Sequence, residues 1–172
     1  MIFCIVGKSC SGKTTLQREL NEKFNAEKIV TYTTRKPRID EVNGFDYNFI
    51  SIEEFKEKLN KDEIISPDTY GGNFYGFPKN EKYDSEENVF TTVLTVSGAK
   101  ELKNNYSNVK IIYLFADDKT RFKLSMLRND GSKTIKERFY DDSNVNYKNL
   151  YEIADIIIEN NGKNMKKLLS RI

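Results

Sequence analysis

The stretch Gly7-Lys8-Ser9-Cys10-Ser11-Gly12-Lys13-Thr14 constrains this chain more than any other. It fits G-x-x-x-x-G-K-[ST], in which glycines let the backbone turn tightly enough for successive N–H groups to face one anion-sized hollow. Its flanks fit as well. Ile2-Phe3-Cys4-Ile5-Val6 is a continuous apolar run such as a buried parallel strand needs, and Leu16, Leu20 and Phe24 recur on one face of a helix. A chance Gly/Ser turn would lack both. The expected nucleotide contacts are Gly7, Ser9, Cys10 and Ser11, followed by Gly12, Lys13, Thr14 and Thr15. Lys13 brings a full charge to the β- and γ-phosphates, and the Thr14 hydroxyl is the expected ligand of Mg²⁺.

A chain of 172 residues holds one domain with a proper core. Lysine and arginine total 28 against 26 acidic residues, which argues against nucleic acid as a partner. No apolar run approaches the length of a membrane span, and Met1 leads directly into the first strand, so neither a membrane partner nor a leader is expected. Cys4 and Cys10 sit in the buried strand and in the loop, and the chain has no histidine. A disulfide or zinc site is therefore not expected, and a reducing cytoplasm is the expected location. Arginine is scarce: Arg18, Arg35, Arg38, Arg121, Arg128, Arg138 and Arg171 are all there are. Each is worth tracing, because a planar fork grips phosphate in a way lysine cannot.

Along the chain, Ile29-Val30-Thr31-Tyr32 reads as a second strand and runs into Thr33-Thr34-Arg35-Lys36-Pro37-Arg38. Two arginines beside hydroxyls, just past a strand end, mark a phosphate site rather than a solvated basic turn. Phe45, Tyr47 and Phe49 alternate as in a half-buried strand after the Asn43-Gly44 turn, and Ser51-Ile52-Glu53-Glu54 is a capping box. Residues 70–78 read as an aromatic, glycine-rich loop. Strands are expected at 89–96, 109–115 and 153–158, with helices around Ala99, over 118–127, from a second capping box at Thr134-Ile135-Lys136-Glu137, and from Lys163. The last of these packs Met165, Leu168 and Leu169. Strand and helix alternate, which predicts an α/β fold with a parallel five-stranded sheet flanked by helices. It is expected to be one domain with excursions near 35–80 and 128–137.

Taken together, the phosphate loop, Thr33-Thr34-Arg35-Lys36-Pro37-Arg38, Glu41-Val42-Asn43-Gly44-Phe45-Asp46-Tyr47, Gly72-Asn73-Phe74-Tyr75-Gly76 and Ala154–Asn160 resemble the guanylate kinases, within the P-loop nucleoside monophosphate kinases. The resemblance spans essentially the whole chain. It implies a P-loop NTPase-type core (1–34 and 81–172), an NMP-binding excursion and a small lid. It also implies transfer of phosphate from Mg²⁺-bound ATP to GMP or dGMP. Arg35, Arg38, Tyr47 and Tyr75 would hold the acceptor monophosphate, and Thr31 touches its base. Lys13, Arg38, Arg128 and Arg138 would be the catalytic cations, Arg128 and Arg138 closing from the lid.

The departures from the family pattern fall on the base-reading positions. Ser66 replaces a glutamate that accepts from guanine, Phe77 replaces a Ser or Thr that serves its O6, and Val93 and Thr95 replace aspartates. Asp68 is a nearby carboxylate, and Leu124 stands where the family carries an arginine, with Arg121 and Lys123 close by. Ser66 and Thr95 are the expected substrate contacts at these positions. The alternatives are a kinase for another nucleoside monophosphate or a phosphorylated sugar, with Phe77 as a stacking wall, and a non-catalytic binding module. An intact phosphate loop counts against the module. Monomer and homodimer are both compatible with the sequence.

Overall fold

Residues 1–85, 87–127, 131–162 and 165–169 are described in the computed structural model. The apolar run forms β1 (Ile2–Val6), buried throughout, and the phosphate loop leads into α1 (Lys13–Phe24). Then come β2 (Glu27–Lys28), β3 (Tyr32–Thr33), β4 (Asn48–Phe49), α2 (Ile52–Asn60) and a hairpin of β5 (Ile64–Tyr70) and β6 (Asn73–Pro78). The chain continues through β7 (Phe90–Val93), α3 (Val96–Asn105), β8 (Val109–Phe115), α4 (Asp118–Leu127) and α5 (Ser132–Ser143). It closes with α6 (Leu150–Ile153), β9 (Ile156–Glu159) and α7 (Met165–Leu168).

The larger sheet has the order β2-β7-β1-β8-β9, and every pairing in it is parallel, as the alternation of strands and helices predicts. Strand periodicity divides β1 between two cores. Ile2, Cys4 and Val6 pack with Ala99, Leu102, Ile111 and Leu150 on one face, while Phe3 and Ile5 pack with Leu16, Leu20, Ile112 and Met165 on the other. A sheet covered on both faces needs apolar strands throughout, which is why β1 and β8 read as continuous runs. Being central, β1 delivers the phosphate loop to the carboxyl edge, where open α/β sheets bind ligands. The smaller sheet is mixed, with the order β4-β3-β6-β5.

Several local expectations need correction. The stretch 29–32 is not one strand but the crossing between sheets. The Ile29 amide donates to Thr91 O (2.8 Å) in the large sheet, whereas Thr31 O accepts from the Asn48 amide (2.8 Å) in the small one. Of the expected 45–49 strand, Asn48–Phe49 pairs with β3 and Tyr47 makes only an isolated bridge to Asn43, while Phe45 is 67% exposed. Asn43 and Asp46 divert the backbone there, their side chains accepting from the Phe49 and Val42 amides (2.9 Å each). The glycine-rich loop is a hairpin instead: Gly71 (φ 56°) and Gly72 (φ 71°) form the two-residue turn with both φ positive that suits strand twist. Phe77 is fully buried against Tyr83 and Tyr106, so it forms no wall of a ligand site. The capping box at Ser51 is present. The one at Thr134 is not, because the Ile135 amide already bonds Gly131 O (3.0 Å) and places Thr134 inside α5. The 89–96 strand stops at Val93, where Thr95 caps α3, and residues 150–153 are helical, so the last strand starts at Ile156.

Gly76 lies where β6 crosses α2 and β5, and a Cβ there would meet Ile64 Cγ2 at 2.3 Å and Phe55 Cζ at 3.1 Å. Gly76→Ala should destabilise the protein by about 1–3 kcal/mol through overpacking. A lowered urea midpoint with unchanged slope checks this.

Candidate active site

The phosphate loop is held by close approach and by strain. A Cβ on Gly7 would lie 2.3 Å from Leu114 O, so only glycine lets the loop leave β1 against β8. Gly12 has φ 97°, and a Cβ there would meet Asn160 Nδ2 at 2.8 Å. Asn160 itself donates to Ser11 O (2.8 Å), while Cys10 sits at φ 60°, a conformation non-glycine residues seldom take. Helix α1 starts at Gly12 with no side chain capping it. Its first N–H groups and its dipole are thus left for an anion. Lys13 Nζ donates to Gly7 O (2.7 Å) and Lys8 O (2.8 Å), which keeps its charge at the rim of that hollow. Thr14 and Thr15 are exposed in the first turn of α1.

One cavity of about 740 Å³ runs from this loop to the small sheet. It is lined by Gly7, Ser9, Cys10, Gly12, Lys13, Thr14 and Thr15 at one end and by Thr31, Arg35, Arg38, Tyr47 and Tyr75 at the other. Ser66, Thr95 and Arg138 of α5 also line it. Ser11 is fully buried beneath the loop and does not line the cavity. Arg128 lies outside the described residues.

The two arginines at the small-sheet end share one carboxylate. Glu41 Oε1 accepts from Arg35 Nη2 (2.9 Å) and Arg38 Nη1 (3.2 Å), and Oε2 accepts from the Arg38 amide (2.8 Å). Arg35 also lies over the Tyr47 and Phe49 rings, at 5.4 and 5.6 Å, and Tyr75 meets Tyr47 edge-on at 6.2 Å. Burial would raise the Glu41 carboxyl, but the Arg35 hydrogen bond, the Arg38 amide and both guanidinium charges outweigh it and hold it below its ordinary value. Burial pushes the Tyr47 phenol up, with Tyr75 adding to it, so that hydroxyl stays protonated.

Further hydroxyls and a carboxylate, Asp68, also line the cavity. Ser66 is 2% exposed at φ 52° beside a bulge in β5, and its Oγ has no hydrogen-bond partner among the described residues. Thr95 Oγ1 accepts from the Gly98 amide (3.1 Å), capping α3 while keeping its own proton to donate. Asp68 accepts from the Thr69 amide (2.8 Å) and from Ser97 Oγ. Leu124 lines the wall, and Arg121, one turn earlier, is 1% exposed and paired with Asp142.

Among the described residues no group of three or more acidic, cysteine or histidine side chains could hold a metal. The donor set nonetheless fits Mg²⁺ carried by a nucleotide. Such an ion takes oxygen ligands, keeps several waters and is bound largely through phosphates, and the exposed Thr14 hydroxyl beside the uncapped helix end suits it.

The model of the family described as guanylate kinase matches residues 2–171. The chain belongs to the guanylate kinase family. A guanylate kinase of Clostridium acetobutylicum is 31% identical over 168 residues, covering 93% of this chain and 80% of that protein. One from Helicobacter pylori is 32% identical over 142 residues, covering 80% and 69%. In three dimensions this family member superposes on the crystal structure of guanylate kinase from Anaplasma phagocytophilum with a TM-score of 0.72 and 25% identity, covering 99% of this chain and 81% of that one. A shikimate kinase from Acinetobacter baumannii, at TM-score 0.51 and 14% identity, shares the fold alone.

Sequence reasoning passed over the side chains that this family member gathers behind the phosphate loop: Tyr70, Asp142 and Tyr147, together with the pairing of Arg121. The only available signal was Asp142 standing one turn beyond Arg138 on the same helix.

Because the Glu41 value is depressed, the stabilisation from its pairing is complete above the ordinary carboxyl value of 4.5 and is lost only as pH falls through the lower one. A carbon-13 NMR titration should place the Glu41 midpoint below 4.5 in the free protein. A midpoint at or above that value would remove the ion pair from solution.

Proposed function

We propose that this chain is an ATP-dependent guanylate kinase, transferring the γ-phosphoryl group of ATP to GMP or dGMP. The observation that carries this reading is the single cavity joining an anion-binding helix end to a pair of arginine forks and two tyrosines. Phosphoryl transfer asks little covalent chemistry of a protein. It needs two phosphates held in line and positive charge where the equatorial oxygens gather negative charge.

At the donor end the loop amides and the first turn of α1 cradle the ATP phosphates, and Lys13 exchanges the Gly7 and Lys8 carbonyls for phosphate oxygens. The Thr14 hydroxyl would hold a nucleotide-borne Mg²⁺, which would supply neutralising charge to the phosphates. At the acceptor end Arg35 and Arg38 turn from Glu41 to the monophosphate, with the Tyr47 and Tyr75 hydroxyls beside them. Arg138 approaches the transferred group from α5, and Arg128 is assigned the same role on its sequence position. Guanine lies against Thr31, Ser66 and Thr95, whose hydroxyls can donate to its O6, while Asp68 can accept from its N1–H and amino group.

This reading treats the chain as one guanylate-kinase-like domain, with a core (1–34 and 81–172), an NMP-binding excursion (35–80) and a lid (128–137) whose closure excludes water. Its partners are small nucleotides. Among the described residues no helix is long and apolar enough to cross a membrane, and the cytoplasm, where ATP is plentiful, is the proposed location.

ADP release from Mg·ATP against a panel of nucleoside and deoxynucleoside monophosphates tests the reading, with GMP or dGMP expected as the best acceptor. Faster turnover with another base would overturn the guanine assignment, and ATP binding without turnover on any acceptor would overturn the kinase. Lys13→Ala should lower kcat by about 10³-fold with the fold intact. Arg38→Lys should raise the KM of the acceptor about tenfold more than that of ATP, because a point charge does not replace a fork. Equal changes in both would misplace Arg38.

A further inference from the structure

Ser9, in the outer limb of the phosphate loop, is gripped on both polar atoms of its backbone. Its N–H donates to Asp142 Oδ2 (2.9 Å) of α5, and its carbonyl accepts from Arg121 Nε (2.8 Å) of α4. Asp142 and Arg121 also pair with each other, both side chains being 2% exposed, and the guanidinium lies 4.0 Å from the Phe139 ring centre. A third element joins them. Tyr70, the last residue of β5, donates to Asp142 Oδ1 (2.9 Å), and Tyr147 donates to the same oxygen (3.0 Å). Since a carboxylate only accepts, the Tyr70 proton is spent on Asp142, and the Ser9 hydroxyl, 3.0 Å away, donates to the Tyr70 oxygen. Burial pushes both phenols up, which keeps them protonated as donors.

A carboxylate offers about four lone-pair sites. Those of Asp142 are taken by the Ser9 amide, Arg121, Tyr70 and Tyr147. It has none left for a substrate proton, although it borders the cavity, so it is not a general base. Its position suits another task. Arg138 precedes it by one helical turn on the same face of α5, so fixing Asp142 on the loop fixes where Arg138 stands relative to the phosphates. The hairpin tip is pressed against the same helix, since a Cβ on Gly71 would lie 3.0 Å from Asp141 Oδ2.

We infer that Asp142 and Arg121 are positioning residues that hold the phosphate loop in register with the helix bearing Arg138. Tyr70 ties the acceptor-side hairpin into the same clamp, so that loop order and acceptor-side closure are one event. The link to turnover rests on the kinase reading; the clamp itself does not.

Tyr70→Phe is the test, because it deletes one hydroxyl and leaves the buried ion pair in place, whereas Asp142→Asn would leave the buried Arg121 with only the exposed Asp118 as counter-charge and endanger the fold. Hydrogen–deuterium exchange on the nucleotide-free protein should rise together in peptides covering the phosphate loop and α5, with β1 and β8 unchanged. Exchange in the loop equal to that of the parent protein would overturn the clamp whatever the acceptor proves to be. With a non-hydrolysable ATP analogue, saturating GMP should tighten binding about tenfold in the parent protein and under about twofold in Tyr70→Phe. The variant's kcat should fall about tenfold with the KM for ATP nearly unchanged. Equal coupling and equal kcat in the two proteins, with only a lowered melting temperature, would reduce Tyr70 to a structural contact. GMP that fails to bind the parent protein would count against the guanylate kinase reading, and the exchange data would still decide the clamp.

Discussion

Helix α1 begins at Gly12 without a side chain over its first amides, and those amides need a partner. An anion is the partner such a helix end suits, and several contacts keep that end open. Glycine at position 7 lets the loop pass within touching distance of the Leu114 carbonyl, and Asn160 holds the Ser11 carbonyl from the end of β9. The contacts come from β8 and from the end of its edge neighbour β9 in one parallel sheet, so the hollow inherits its rigidity from the core.

Each end of the cavity treats its cations in the same way. Lys13 leans on two carbonyls of its own loop, and Arg35 and Arg38 share the Glu41 carboxylate. In the proposed reading these protein oxygens hold the places of phosphate oxygens, and the charged side chains are kept facing the cavity. Binding on that reading would exchange one set of oxygens for another, which would limit the ordering cost of long flexible side chains.

What could be read from sequence follows how local each signal is. The phosphate loop, the apolar runs of β1 and β8 and the capping box at Ser51 depend on neighbouring residues and appear as expected. The expected 29–32 strand is divided because two sheets compete for adjacent peptide groups, and alternation of apolar residues cannot register that. The hairpin at residues 64–78 carried its own signal, Gly71-Gly72 between aromatic residues, but the glycines resembled a ligand-approach loop equally well. Arg35 and Arg38 were legible as a pair because arginine is scarce here, whereas their Glu41 partner was not. The ring around Asp142 was illegible for a different reason. Its members lie far apart in the chain, and no periodicity or spacing connects residues 9, 70, 121 and 142 before the chain folds.

The crossing between the two sheets has a mechanical consequence. Ile29 is pinned to the large sheet through its amide, and the Val30 carbonyl already accepts from Asn48 Nδ2 (3.1 Å) of the small sheet. Between those two anchor points lie only the backbone torsions of Ile29 and Val30. A swing of the small sheet about the large one must pass through that joint, which behaves like a short door hinge rather than a flexible strap. The opposite crossing, from Pro78 to Phe90, has more chain and a turn of 3₁₀-helix in which to take up slack. Any such rotation would be centred near Thr31, which lines the cavity, and its displacement would grow toward the hairpin tip at Gly71.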